Sequence, residues 1–205
     1  MSKLETITID TPSGSNTMQI GSTNTATINL GVSGDTINVP AGVTIANAGT
    51  ATGFGETNTP IFAARRTSGQ TLSSGSWTKI QLATEDIDTD SAFDNSSNYR
   101  FTVPSGKAGK YLISFNIAVA SNTGVSNAKQ LFVSLYKNGS DYLQNFFDGR
   151  NNAYGDTFSG AASYILDLSA SDYVELYAKF HDAGGSGGNV QSGATSFSGV
   201  RLASS

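Results

Sequence analysis

Two kinds of hydrophobic alternation divide the chain. In the first part, short apolar–polar–apolar triplets are followed by a chain-turning residue, and in the second part the alternating runs are longer and contain aromatic residues. The triplets of the first part stand at residues 18–20, 28–30, 37–39 and 43–45. Alternation with a period of two is typical of β-strands, because successive side chains point to opposite faces. The pattern predicts a stem over residues 1–58 and a head over residues 59–205.

The stem has too little apolar material to form a core from one chain. Its triplets are short, and no aromatic residue precedes Phe54. One triplet cannot offset its own conformational entropy. Three arrangements are open: three chains around a shared axis, a single-chain β-solenoid, or a flexible Ser/Thr/Gly linker. We favour the trimeric β-fibre, because a linker does not need paired apolar residues and the array is short for a solenoid.

The head shows the alternation expected of antiparallel strands. Apolar residues occupy every second position from Tyr111 to Val119, and Asn138-Gly139 is a strong signal for a tight hairpin. Nine strands are predicted, at residues 61–66, 78–82, 99–103, 109–119, 129–137, 142–147, 157–168, 173–180 and 194–202. Because no helical period interrupts them, the sequence predicts an all-β, two-sheet sandwich or jelly roll.

Composition and charge restrict the function. The net charge is −4 and the only basic cluster is Arg65-Arg66, so we expect no nucleic-acid partner. The absence of cysteine excludes a disulfide scaffold and thiolate chemistry. Residues 1–6 lack the apolar segment of a secretion signal, and the stretch 111–120 is too short to span a membrane. We therefore expect neither a signal peptide nor membrane insertion.

Catalytic motifs are weak. His181 is the only histidine, and neither its neighbour Asp182 nor the glycine-rich segment 184–188 forms a nucleophile elbow or a phosphate loop. Paired carboxylates could serve glycoside hydrolysis, but no segment is long enough to suggest the extended groove of a depolymerase. We expect no enzymatic activity and no cofactor, with a glycan hydrolase as an alternative.

The acidic segment 85–90 is a candidate Ca²⁺ site. Its carboxylates Asp86, Asp88 and Asp90 are oxygen ligands of the kind that calcium prefers. The segment is not an EF-hand, because Ser91 stands at the sixth loop position and Ser97 at the twelfth. The alternative is a solvated acidic loop.

Strand parity assigns the connections to two ends of the head. Consecutive antiparallel strands return to the same end at every second connection, so the compact turns and the longer loops should lie at opposite ends. The compact turns are residues 105–109, 138–141 and 169–172; the longer loops are 121–128, 148–156 and 181–193. Eight polar residues in these loops are candidates for binding a glycan or another polar ligand: Asn122, Asn127, Arg150, Asn151, Asn152, Tyr154, His181 and Asp182. The alternative is that these loops are ordinary surface connections.

A set of motifs between residues 60 and 202 resembles the complement C1q globular-head family. The residues that carry the resemblance are Phe93-Asp94, Tyr99, Phe101, Pro104, Gly109, Tyr111, Phe115, the segment 133–139, Ser159-Gly160, Leu166, Leu168, the segment 171–176 and the segment 197–202. Ser171 departs from the pattern, since the family usually has Gly there. The resemblance implies a ten-stranded jelly roll of the tumour-necrosis-factor type, a compact homotrimer and ligand binding without catalysis.

The stem is not collagenous, because Gly does not recur at every third position. It resembles instead the β-repeats of bacteriophage tail fibres and other virion appendages. Together the two resemblances imply a trimeric fibre or receptor-binding protein on a virion surface. Its partners would be a host-surface glycan or protein and, through the stem, other virion proteins. The alternative is a decoration or head-fibre protein without a dedicated receptor.

Overall fold

The structure is a computed structural model of one chain. It describes residues 27–28, 30, 33–46, 58–122, 128–149 and 155–204. The chain divides into two compact units, Met1–Thr52 and Gly53–Ser205. The division into a stem over residues 1–58 and a head over residues 59–205 stays a prediction. Among these described residues there is no helix with the length and apolar character needed to cross a bilayer.

The described stem residues leave their aliphatic side chains uncovered. Ile37 is 61 % exposed, and Ile28, Leu30, Val39, Val43 and Ile45 are also exposed. The predicted turn after residue 39 is present, since the Val43 amide donates to the Pro40 carbonyl and Gly42 has a φ of 84°. The predicted strands at 37–39 and 43–45 do not form in this single chain. The trimeric β-fibre stays a prediction.

The described head contains thirteen strands. They are β1 (Ile61–Arg65), β2 (Gln70–Leu72), β3 (Thr78–Lys79), β4 (Thr84–Asp88), β5 (Phe93–Asp94), β6 (Arg100–Thr102), β7 (Gly109–Ser121), β8 (Ala128–Lys137), β9 (Ser140–Asp148), β10 (Thr157–Leu168), β11 (Tyr173–Asp182), β12 (Gly188–Val190) and β13 (Ser196–Ser204). All nine predicted strands are present, β10 with the predicted ends and the other eight with shifted ends. The four that were not predicted, β2, β4, β5 and β12, are short, and the predicted total of ten is not confirmed.

The strands form two antiparallel sheets. The seven-stranded sheet has the order β2-β12-β7-β13-β1-β4. Strands β12 and β13 pair with different parts of one edge of β7, and β10 pairs along the opposite edge of β7. The six-stranded sheet has the order β5-β6-β11-β8-β9, with β3 also paired to β11. Strands distant in sequence therefore lie side by side, as in a jelly roll.

The core lies between the two sheets. Tyr111, Ile113 and Ile117 of β7 are fully buried, as the alternation predicts. Phe62 of β1 stacks on Phe101 of β6 at 4.6 Å, which joins the sheets at one end of the core. The Tyr111 hydroxyl donates to the Lys107 carbonyl, and burial raises its pKa to about 12.

Candidate functional site

One end of the head holds the chain entry and the compact turns. Lys107, in the turn before β7, donates to the Thr59 hydroxyl at the start of the head. The Asn138 side chain donates to the Asp172 carboxylate at 2.8 Å, which joins the hairpin to the turn before β11. The last strand also ends here, with Ser204 opposite Gly109. The predicted grouping of the compact turns is confirmed, and we call this the entry end.

The longer connections meet at the opposite end. The Ser121 amide donates to the Asp156 carbonyl, and the Asn122 amide donates to the Gly187 carbonyl. All three predicted loops contribute described residues here, so the parity prediction also holds at this end. We call it the distal end.

Five of the eight candidate binding residues lie outside the described residues. They are Asn127, Arg150, Asn151, Asn152 and Tyr154. Their role in ligand binding stays a prediction.

Asn122 and Asp182 both hold the connection between β11 and β12. The Asn122 side-chain amide donates to the Ser186 carbonyl at 3.0 Å. The Asp182 carboxylate accepts from the amides of Ser186 at 3.1 Å and Gly187 at 2.8 Å. Burial acts to raise the pKa of Asp182, but the hydrogen bonds from Gly187, Ser186 and the Ser74 hydroxyl outweigh it and lower the pKa. These two side chains therefore serve the fold at the distal end.

His181 lies on a strand rather than in a loop, which corrects the predicted loop 181–193. It pairs with Gln130 in the ladder between β11 and β8, and β12 forms within the same predicted loop. The His181 ring lies 6.3 Å from the Phe132 ring, on the face of the six-stranded sheet that points away from the core. His181 thus lies on the outward face of the six-stranded sheet, on the side of the head rather than in a loop.

The acidic segment 85–90 is also mostly strand, since β4 runs to Asp88. Asp86 pairs with Arg65 at 2.8 Å, and Asp88 accepts from the amides of Ala92 and Phe93. Asp90 accepts from the Thr89 hydroxyl at 2.7 Å. In the described residues no three His, Asp or Glu side chains gather in a way that could hold a metal ion. The predicted calcium ligands are instead paired within the protein.

One part of the outward face of the seven-stranded sheet, around Leu112, is aliphatic. We call it the aliphatic face, and it contains a shallow pocket of about 250 Å³. Among the residues that line the pocket are Ile61, Ala63, Ile87, Leu112, Ser114 and Val200. Ile165 of β10, at the edge of the same sheet, is 66 % exposed. Apolar area of this kind marks a surface that another protein can cover.

The outward face of the six-stranded sheet is aromatic. We call it the aromatic face and define it by Trp77, Phe132, Tyr136, Phe146 and Tyr177. Tyr136 and Tyr177 stack at 4.0 Å, and Phe132 and Phe146 stack at 5.7 Å. Trp77 meets both Phe132 and Tyr136 edge-on, at 6.4 and 6.3 Å. No sequence motif marks these residues as a group, although the alternation of β8 places Phe132 and Tyr136 opposite the buried positions.

Comparison with solved structures identifies the fold. The globular domain of zebrafish complement 1qA protein matches 72 % of this chain and 100 % of its own, with 15 % identity and a TM-score of 0.52. Eiger TNF from S. frugiperda matches 71 % of this chain and 93 % of its own, with 12 % identity and a TM-score of 0.53. No protein-family model matches, and no curated protein is significantly similar in sequence. The head therefore has a C1q/TNF-like jelly-roll fold, as the sequence resemblance predicts.

Proposed function

We propose that this chain is a non-enzymatic, homotrimeric binding protein of a virion surface. Its stem joins the particle, and the distal end of its head contacts a glycan or protein of the host. The observation that carries the proposal is the division of the head into two ends. The chain enters and leaves among compact turns at one end, and the longer connections gather at the other, where a ligand can reach them.

The aliphatic face supports assembly. Leu112, Val200 and Ile61 are partly open to solvent in the single chain and line one continuous pocket. Covering such a surface with another copy removes apolar area from water, which favours association. Three copies around one axis would bring three distal ends together, so that weak contacts act jointly.

The stem supports a fibre. Its aliphatic residues at 28, 30, 37, 39, 43 and 45 are exposed in one chain. A shared axis of three chains would cover them, whereas an isolated linker gains nothing from such residues. The resemblance of this repeat to bacteriophage fibres is the basis for placing the protein on a virion.

A decoration protein without a receptor is the second candidate. Asn122 and Asp182, two of the described candidate residues, already make hydrogen bonds within the distal end. A connection held in this way can be a purely structural feature of the fold.

A double substitution in the predicted loop 148–156 separates the two candidates. We expect Arg150→Ala with Tyr154→Ala to lower attachment of the trimer to host cells by about tenfold, because the loss is repeated in three copies. Melting should change little, since surface-loop substitutions usually cost within about 0.5 kcal/mol.

The matched control is Tyr142→Ala, which removes an exposed tyrosine near the entry end. The control should attach like the parent. If the distal-end variant also attaches like the parent, the receptor-binding proposal fails and the decoration protein becomes the better interpretation.

A further inference from the structure

The aromatic face places large rings where a solvated strand would normally carry small polar residues. Phe146 is 63 % exposed and stacks on Phe132, its direct partner across β8 and β9. Core packing does not require either ring at these positions, because the core is formed by the opposite side of the same strands. Phe146 is exposed and the other four rings are half-buried, and rings gathered in one accessible patch are typical of a binding surface.

Two lysines lie beside these rings, and Lys79, 5.7 Å from the centre of the Tyr177 ring, is paired with Glu175. The Lys179 ammonium lies 4.6 Å from the centre of the Phe132 ring and 4.9 Å from the centre of the Trp77 ring. Both rings attract it through their electron-rich faces but carry no charge to neutralise it. Within the described residues no carboxylate pairs with Lys179.

The carboxylates nearby have other partners. Glu175, on the same strand, is buried and pairs with Lys79. Asp141 accepts a hydrogen bond from the Ser134 hydroxyl. Lys79 is thus paired, whereas Lys179 makes no ion pair among the described residues, so its ammonium can pair with an external anion.

We propose that the aromatic face is a second binding site, on the side of the head, for an acidic carbohydrate. A sugar ring would pack on Phe132, Phe146 and Trp77 through its C–H groups, which carry partial positive charge and suit an electron-rich ring face. The carboxylate or sulfate of the sugar would pair with Lys179. Sugar hydroxyls would meet the side chains of Gln144 and Tyr136, which offer hydrogen bonds beside the rings.

The combination of rings and one cation favours a carbohydrate over the other possible occupants. A second copy of the chain would be expected on the aliphatic face, whose side chains pack without leaving a charge uncompensated. A nucleic acid would require a concentrated basic surface, and the chain carries a net charge of −4. A small acidic sugar needs one cation and one stacking surface, which is what the aromatic face offers.

The single tryptophan gives a direct measurement, since Trp77 is the only one in the chain. The full-length protein is titrated with three acidic oligosaccharides, bearing a uronate, a sialic acid or a sulfate, and with the neutral counterpart of each. We expect Trp77 fluorescence to change with at least one acidic sugar and not with its neutral counterpart.

Two variants test whether the acidic sugar binds at Lys179. Lys179→Gln should weaken the binding of that sugar by about tenfold, because the ion pair is lost while the rings remain. Lys110→Gln, which removes an exposed lysine of the other sheet, should bind like the parent. The double variant at Arg150 and Tyr154 should also bind like the parent, so that failure of this site and failure of the distal-end proposal can be told apart.

Three results would overturn the proposal. One is the absence of a fluorescence change with all three acidic sugars. Another is equal binding by the Lys179→Gln and Lys110→Gln variants. The third is a change of molar mass in light scattering caused by Lys179→Gln, which would make the aromatic face an interface between copies.

Discussion

The two outward faces of the head differ far more than the two inward faces do. Inside, both sheets present Leu, Ile, Val and Phe to one common core. Outside, the seven-stranded sheet presents small and aliphatic residues around Leu112 and Val200, and the six-stranded sheet presents rings around Phe132 with Lys179 among them. Folding requires apolar inward faces from both sheets, but it does not require that one outward face be aliphatic and the other aromatic.

The difference indicates two separate uses of the head surface. Aliphatic side chains gain from any cover that excludes water, so the aliphatic face suits a second copy of the same chain. Rings combined with an ammonium are selective for a ligand that offers both a stacking surface and a negative charge. We therefore expect substitutions on one face to leave the property of the other unchanged.

The largest expected effect follows from a charge on the aliphatic face. Leu112→Asp would place one carboxylate per chain in the covered surface of the proposed trimer, and burial of an unpaired charge costs several kcal/mol. We expect light scattering to show a shift from three times the chain mass of 21.3 kDa to the mass of one chain. Lys179→Asp, the matched substitution on a central strand of the other sheet, should remain trimeric.

Dissociation of both variants would mean that the two faces are not separate in function. A parent protein that is monomeric at micromolar concentration would remove the basis of the comparison altogether.

The next effect concerns the connection between β11 and β12, which links the two sheets and should therefore affect both faces. Gly187 has a φ of 77°, and a Cβ at this position would lie 2.0 Å from the Leu72 carbonyl oxygen. Gly187→Ala should lower the free energy of unfolding by more than the roughly 1 to 3 kcal/mol of a strained φ alone. Calorimetry or thermal denaturation followed by circular dichroism measures the loss.

Gly185→Ala is the control for Gly187→Ala. Gly185 also has a positive φ, 71°, but an added Cβ would meet nothing within 4 Å. Gly185→Ala should lower the free energy of unfolding only by the cost of holding a residue with a side chain at a positive φ. Equal losses for the two variants would contradict the close approach between Gly187 and Leu72.

The sequence predicts the inward faces well, because burial imposes a simple alternation. Tyr111, Ile113, Phe115, Ile117 and Val119 were all expected on one side of β7, and all are buried. The hairpin at Asn138-Gly139 was also predicted, since its turn requires residues that tolerate positive φ. These features depend on residues close together in the chain.

The outward faces and the distal end depend on contacts between distant residues. Trp77 meets Phe132 only because β3 and β8 both pair with β11. The glycine-rich segment 181–193 is predicted to be a loop, but β12 forms within it, and Gly188 is needed where a Cβ would lie 2.6 Å from Val119 and 2.7 Å from Phe180. The local sequence pattern specifies neither which strand a given strand pairs with nor how much space surrounds a side chain in the fold.

The smallest expected effect is a pH dependence at the distal end. Asp182 is buried, and its carboxylate accepts hydrogen bonds from the Ser186 and Gly187 amides, which hold the connection that joins the two sheets. Asp182→Asn keeps the shape but loses the charge, and its amide group can accept from only one of the two donors. We expect a loss of about 1 to 3 kcal/mol at pH 7, the range for hydrogen bonds to a charged group.

The difference in stability between the parent and Asp182→Asn should disappear in acid. The folded pKa of Asp182 lies below the ordinary value of an aspartate, so its carboxylate stabilises the folded state above the unfolded pKa. This contribution is lost as the pH falls from about 4 through the folded pKa, and the melting temperatures of parent and variant should then converge. Asp167→Asn, at a carboxylate that is 67 % exposed, should differ from the parent by no more than about 0.5 kcal/mol at either pH. A constant gap between parent and Asp182→Asn from pH 7 to pH 3 would show that the side chain acts through packing rather than through its charge.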